Sequence, residues 1–164
     1  MRENRLNGDF GEYFVAIHFN RKGYQTDIID HTGIDLMCYS DIGDGANEEY
    51  EQLGISVKFR NIDNGNSDIR IPTDEIHRCY EAAMRRGATP CYAFGIIGKG
   101  KLYFRAITLD VFLKNHGYHG IEDVYNIRTK SISENISLKT LERWKEEEYQ
   151  KESILTEFYH IESV

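Results

Sequence analysis

Three ionisable side chains occupy positions where the surrounding sequence is small or apolar. Glu12 lies among small residues of a predicted helix, Asp35 interrupts the apolar run IDLMCY, and Lys58 lies within ISVKFR. A buried charge costs free energy unless it is paired or binds a ligand. Carboxylate oxygens bind Mg²⁺, the ion polarises a phosphodiester and acidifies water, and a lysine offsets developing negative charge. The three residue types therefore suit metal-assisted phosphodiester hydrolysis.

The element that would carry Glu12 is a helix predicted over residues 4–22, which ends at Gly23. Glu12 falls on a face of small and apolar residues, where the glycines allow another backbone to approach closely. The opposite face carries Leu6, Phe10, Tyr13, Phe14 and Ile17. A helix that is apolar nearly all round is expected to be buried on two sides.

Two short β-rich runs over 24–29 and 34–40 follow, and the second contains Asp35. Residues 52–60 alternate with a period of two, so that Ile55, Val57 and Phe59 point one way and Ser56, Lys58 and Arg60 the other. Further along, the pattern predicts a helix over 73–86, strands over 91–97 and 101–107 joined by a hairpin turn, and a short helix after Thr108. The order α-β-β-β-α-β-β predicts an α/β fold, a mixed sheet with helices packed on it.

This arrangement resembles the PD-(D/E)xK nuclease superfamily, and in particular its archaeal Holliday-junction resolvase-like and Mrr-like branches. The residues that carry the resemblance are GDFGEYFVAIHFNRKGY with Glu12, GIDL with Asp35, and SVK with Lys58. By order of elements it covers roughly residues 4–114. It implies a restriction endonuclease-like fold, with a central mixed sheet flanked by helices.

The resemblance also implies roles for individual residues. Asp35 would be the central metal ligand, Glu12 an auxiliary ligand or orienting acid, and Lys58 the catalytic lysine. The backbone carbonyl of Val57 would be a further ligand of a Mg²⁺ or Mn²⁺ ion. Arg60 shares the face of Lys58 and could contact a phosphate, although a surface role explains it equally well.

One position departs from the superfamily, which has Glu, Asp or sometimes Gln two residues before the lysine. That position is Ser56 here, and a hydroxyl is a poor Mg²⁺ ligand, although it can hold a metal-bound water. Three explanations remain open: Glu12 takes over the ligand role, a carboxylate from the 48–51 loop moves in, or the site is inactive.

Each of these residues also has an ordinary structural explanation. Glu12 could pair with Arg5, Asp35 could cap a turn after Gly33, and Lys58 could solvate a strand edge. The run GKGK at 98–101 reads as a hairpin, because it is too short for a phosphate-binding loop and no helix follows it. Its lysines, Lys99 and Lys101, could still contact a nucleic-acid backbone.

The balance of acidic and basic residues limits the kinds of molecule that this protein is expected to bind. The 164 residues include 20 Lys+Arg and 27 Asp+Glu, a formal net charge of −7. This balance disfavours a protein that coats polyanions non-specifically, but it permits an enzyme with a local basic site. We expect a nuclease-like core over 1–117 and a mostly helical C-terminal extension over 118–164. One long helix over about 137–159 could dock on a protein partner.

The lengths of the apolar stretches and the spacing of the cysteines predict the cellular location of the protein. No apolar stretch suits a signal peptide or a membrane span, and Cys38, Cys79 and Cys91 show no CxxC spacing. We therefore expect a cytoplasmic protein without a membrane role, in which Cys38 and Cys91 are buried as small apolar residues.

Two functions of different classes follow. The leading hypothesis is a Mg²⁺-dependent deoxyribonuclease that cuts DNA internally, with Glu12, Asp35 and Lys58 as its catalytic core. The alternative is a catalytically inactive nuclease-fold protein that binds nucleic acid or protein, as Ser56 suggests. The resemblance also leaves a homodimer open, since resolvase-like nucleases make paired cuts.

Overall fold

A six-stranded mixed sheet organises the computed structural model, which describes residues 2–31, 33–40, 52–126 and 130–161. In chain order its elements are α1 (Arg2–Arg21), β1 (Tyr24–His31), β2 (Ile34–Ser40), β3 (Gln52–Asn61), β4 (Asp68–Pro72), α2 (Thr73–Arg85), β5 (Thr89–Gly98), β6 (Lys101–Thr108), α3 (Leu109–Asn115), α4 (Ile121–Val124), β7 (Ser131–Asn135), α5 (Leu138–Arg143), α6 (Glu147–Glu152) and β8 (Leu155–His160).

The strands of the main sheet run in the order β1-β2-β3-β5-β6-β8. β3 and β5 pair in parallel, while the other neighbouring pairs are antiparallel. β4 and β7 form a separate antiparallel pair. The order α-β-β-β-α-β-β is present with β4 inserted before α2, so the predicted restriction endonuclease-like architecture, a central mixed sheet flanked by helices, is confirmed.

The sheet has an apolar layer on each side. On one side Val15 and Phe19 of α1 pack in a cluster with Ile55 and Phe59 of β3. A Cβ atom on Gly11 would lie 2.7 Å from the ring of Phe59, so the absence of a side chain lets α1 approach β3. On the other side α2 packs through residues such as Ile76, Cys79 and Ala83.

The outer face of α1 differs from expectation. Phe10, Tyr13 and Ile17 are exposed, whereas Val15 and Phe19 are fully buried. The prediction that this helix is buried on two sides is therefore wrong. The physical reason is geometric, because a single sheet covers only one side of a helix packed on it.

The tail also differs from expectation, since the single helix predicted over 137–159 is wrong. The segment forms α5, α6 and then β8, which pairs with β6 from Ala106↔Leu155 to Lys101↔His160. Pairing with the edge of β6 satisfies the backbone groups of 155–160 and overrides a weak helical pattern. The last strand of the main sheet thus comes from beyond residue 117.

All three cysteines are free and buried, which confirms the prediction for Cys38 and Cys91. Burial raises the pKa of Cys38 and of Cys79 to about 12, so both thiols stay protonated and unreactive at neutral pH. Among the residues that the structure describes, no helix combines the length and the apolar content that a membrane crossing needs.

Candidate active site

Asp35 lies where the regular alternation of β2 breaks. Ile34 and Met37 belong to the apolar layer on the α2 side, whereas Leu36 and Cys38 belong to the layer on the α1 side. The pairing of β2 with β3 begins one residue later, at Leu36↔Ile55. The side chain of Asp35 is therefore placed at the point where the two strands separate, within reach of both layers.

The backbone of β3 fixes the carboxyl group of Asp35. The Val57 N–H donates a hydrogen bond of 2.7 Å to Asp35 Oδ2. The N–H and C=O of one residue in an extended strand point to the same side. The Val57 carbonyl therefore faces the side of β3 on which Asp35 lies, as the resemblance implies for a backbone ligand.

A small pocket of about 150 Å³ opens beside Asp35 on the α2 side of the sheet. Lys58 projects into it and its Nζ lies 2.9 Å from Oε2 of Glu75, a residue in the first turn of α2. The pocket is lined by Gly33, Asp35, Ser56, Lys58, Glu75 and Arg78. Lys58 and Asp35, predicted from separate strands, thus share one pocket.

Glu12 approaches Asp35 from the α1 side of the sheet, close enough for the two carboxyl groups to interact. Burial is the largest cause that raises the pKa of Asp35, and the charge of Glu75 adds to it. The Val57 N–H, Lys58 and Glu12 oppose this increase in pKa.

The remaining predicted residues lie in different surroundings. Ser56 is buried and lines the pocket, whereas Arg60 Nη1 donates to the Phe59 carbonyl at 2.9 Å and is not among the lining residues. In the β5–β6 hairpin the Lys99 N–H donates to Asp63 Oδ1 at 2.7 Å. Lys101 Nζ pairs with Glu142 at 3.2 Å. The structure thus brings Glu12, Asp35, Ser56, Val57 and Lys58 together, whereas the side chains of Arg60 and Lys101 have partners outside the pocket and Lys99 lies in the β5–β6 hairpin.

Glu75 is the site residue that the sequence reasoning missed. In the sequence, Asp74 and Glu75 are fully explained as the acidic first turn of a helix, where negative charge interacts favourably with the helix dipole. The sequence did contain one signal for Glu75. Its carboxylate lies on α2, the first helix after β3, and β3 is the strand in which Ser56 stands where the superfamily has an acid. The proposed donors at 48–51 lie outside the described residues. Glu75 offers a fourth explanation for Ser56, because its carboxylate already lies in the same pocket.

The donor set fits a divalent cation of the Mg²⁺ type. Within the described part of the chain, no three His, Cys, Asp or Glu side chains lie together in a ready-made metal cluster. Mg²⁺ needs only one or two carboxylates, because it keeps several waters and also binds substrate phosphate. The neighbouring carboxyl groups of Glu12 and Asp35 would meet this need.

The close approach of α2 to Gly33 sets the position of Glu75, and it can be tested. Gly33 has φ +106°, and a Cβ atom there would collide with the backbone carbonyl of Arg78. We expect Gly33→Ala to lower the free energy of unfolding by about 3 kcal/mol, measured by urea denaturation. The control Gly117→Ala has a similar φ of +85° but open space around it, and it should cost only about 1 kcal/mol. Equal losses in the two variants would contradict the role of the close approach.

Comparisons with known proteins concern the fold. The structure is similar to that of Hjc, a Holliday junction resolvase from the archaeal hyperthermophile Archaeoglobus fulgidus, with 16% sequence identity and a TM-score of 0.48. The match covers 78% of this chain and 83% of that chain. No protein-family model and no curated protein matches the chain. The order and pairing of the strands carry the fold assignment, and the roles of the residues rest on the geometry of the pocket.

Proposed function

We propose that this protein is a Mg²⁺- or Mn²⁺-dependent endonuclease that hydrolyses DNA phosphodiester bonds. The observation that carries the proposal is the convergence of Glu12, Asp35, Lys58 and Glu75 at the point where β2 separates from β3. Asp35, Lys58 and Glu75 line one pocket and Glu12 approaches Asp35 from the α1 side, so carboxyl groups and a lysine meet around Asp35, as metal-assisted hydrolysis requires.

Each residue has a role in this proposal. Asp35 and Glu12 would hold the cation, with the Val57 carbonyl and Glu75 as further oxygen donors. When bound, the ion supplies polarisation of the phosphodiester and acidifies water. Lys58 offsets the negative charge that develops on the phosphate, and Glu75 keeps the Lys58 ammonium in the pocket until substrate enters. Ser56 holds a water by its hydroxyl group.

DNA as substrate is supported by the fold and by the resemblance of SVK and GIDL to a nuclease superfamily. A cytoplasmic location, the division at residue 117 and a protein partner for the extension stay predictions. One observation favours the inactive binding module as second candidate. The ammonium group of Lys58 already has the carboxylate of Glu75 as its partner at 2.9 Å, without a cation or a substrate.

Incubation of the purified protein with branched, duplex and single-stranded DNA tests the proposal. We expect strand cleavage that requires Mg²⁺ or Mn²⁺ and stops when EDTA removes the cation. Calorimetric titration of the same protein with Mn²⁺ in the absence of DNA gives a readout that is independent of activity. Absence of both cleavage and Mn²⁺ binding would refute the nuclease and support the binding module.

A further inference from the structure

A second pocket has a volume of about 360 Å³, and the described residues that line it all differ from those that line the pocket beside Asp35. Its walls come from β6, β7, α5, α6 and the end of α3. Most of its lining residues follow residue 117, beyond the part of the chain that resembles a nuclease. Small-molecule sites in proteins have volumes of about 300–1,000 Å³, so the size of this cavity suits a small ligand. We call it the extension pocket; its charged and histidine side chains are Arg105, His116, Glu134, Arg143, Glu148 and Glu152.

A buried guanidinium group is the main feature of the extension pocket. Arg105 lines the pocket although its side chain is only 2% exposed. Its Nε donates to Ser153 Oγ at 2.7 Å, and its Nη2 lies 3.4 Å from Oε2 of Glu152. The second distance is longer than the charge-assisted hydrogen bonds of about 2.7–2.9 Å that such pairs usually form. Among the described residues these are the two hydrogen bonds of a group with five N–H donors. Donors of Arg105 therefore remain for a ligand.

The ring of Tyr149 fixes the orientation of this guanidinium group. The Cζ atom of Arg105 lies 4.8 Å from the centre of the ring, and that of Arg143 lies 5.8 Å from the same centre. A guanidinium group that stacks on a ring keeps the N–H groups along its edge for a planar oxyanion. Burial lowers the pKa of Arg105, and the charges of Glu134 and Glu152 oppose this decrease. A buried cation without a short ionic partner is the group that an oxyanion stabilises most.

The charges that remain unpaired in the extension pocket are of both signs. Two of its three carboxylates already have partners, since Glu134 lies 2.6 Å from Nε2 of His116 and Glu152 lies against the buried guanidinium group. Arg143 and Glu148 are exposed, and within the described part of the chain neither forms an ion pair. A ligand with only negative charge would be attracted by the guanidinium groups but repelled by Glu148. A ligand that carries both charges matches the pocket better.

We propose that the extension pocket binds a small zwitterion of the amino-acid type, with its carboxylate on Arg105 and Arg143 and its ammonium group on Glu148. A carboxylate fits the edge of a guanidinium group through two parallel hydrogen bonds. Arg105 lies on β6, Arg143 on α5 and Glu148 on α6. The ligand therefore fastens both short helices of the tail to the main sheet, and its binding stabilises the folded protein.

Calorimetric titration and thermal unfolding of the full chain, without DNA or metal, test the proposal. The zwitterionic probes are L-alanine, β-alanine and γ-aminobutyrate, which differ in the separation of their two charges. Butyrate and butylamine each carry one of the two charges of γ-aminobutyrate. We expect at least one zwitterion to bind, and a dissociation constant of about 1 mM would raise the melting temperature by about 4 °C at about 10 mM ligand. Butyrate and butylamine should bind at least about tenfold more weakly than the zwitterion that binds best.

Two variants at exposed positions of the extension pocket provide the second measurement. Arg143→Ala and Glu148→Gln should each weaken binding of the zwitterion about tenfold or more. The matched controls Lys139→Ala on α5 and Glu147→Gln on α6 remove exposed charges that do not line the pocket, and they should bind as the wild type does. Absence of binding by all three zwitterions, equal binding of butyrate, or unchanged binding by Arg143→Ala would overturn the proposal. Binding is measured without substrate, so this outcome is separate from the success or failure of the nuclease proposal.

Discussion

Replacing Asp35 by Asn is expected to lower the rate of DNA cleavage about a thousandfold, because the loss of a charged metal ligand removes several kcal/mol of transition-state stabilisation. Asn retains an oxygen that accepts the Val57 N–H, so the strand geometry at the site is preserved. Single-turnover cleavage at saturating Mn²⁺ measures the effect, and calorimetry should show weakened Mn²⁺ binding in the same variant.

The same substitution should stabilise the metal-free protein at neutral pH. The folded state raises the pKa of Asp35 mainly through burial, so it binds the proton more tightly than the unfolded chain does. The stabilising contribution of the protonated form is present at low pH and is lost as the pH rises through the folded-state pKa. The neutral Asn avoids this loss, and its advantage in urea denaturation should shrink as the pH falls.

The control for Asp35 is Asp110→Asn, which removes an exposed carboxylate that pairs with Lys114 on α3. Cleavage and Mn²⁺ binding should both remain at the wild-type level, and its stability should change little. If Asp35→Asn cleaves DNA as fast as Asp110→Asn, Asp35 is not a metal ligand and the nuclease proposal is refuted.

Glu75→Gln is expected to lower the rate of DNA cleavage about a hundredfold. The substitution removes the carboxylate that replaces the acid missing at position 56, and it leaves Lys58 without its ion-pair partner. The decisive variant is the double substitution Ser56→Glu with Glu75→Gln. It moves the carboxylate from α2 to β3 within the same pocket. We expect it to regain about tenfold over Glu75→Gln alone, since one carboxylate and the lysine are again present.

Glu81→Gln is the matched control for Glu75, because it removes an exposed carboxylate from the same helix. It should cleave at the wild-type rate. Normal cleavage by the Glu75→Gln variant would show that Glu75 does not replace the acid missing at position 56. A double variant no better than Glu75→Gln would show that the carboxylate cannot act from β3.

The part of the site that lies on β2 and β3 could be predicted from the sequence. Asp35 interrupts an apolar run, and Lys58 lies on the polar face of a strand that alternates with a period of two, so both residues are visible without a structure. Glu75 could not be found in this way, because an acid in the first turn of a helix has a sufficient local explanation. Its position depends on the packing of α2 against Gly33, which is a contact between distant parts of the chain.

The contrast between local sequence patterns and contacts between distant parts of the chain also explains why two predictions about the fold are wrong. The two faces of α1 are both apolar in the sequence, but only the packing of the sheet shows which one is covered. In the tail, the charged run at 146–148 favours a helix locally, and α6 begins at Glu147. The strand at 155–160 forms only because β6 offers an open edge, and no local pattern contains that information.

The pairing of β6 with β8 has a consequence for the order of folding during synthesis. Ala106 meets Leu155, so β6 remains an unpaired edge strand until the ribosome has made and released the segment that covers it. Leu102, Phe104 and Ala106 contribute apolar side chains along that edge. Nascent chains that have emerged only as far as β6 should therefore be the species most prone to aggregate and to need a chaperone.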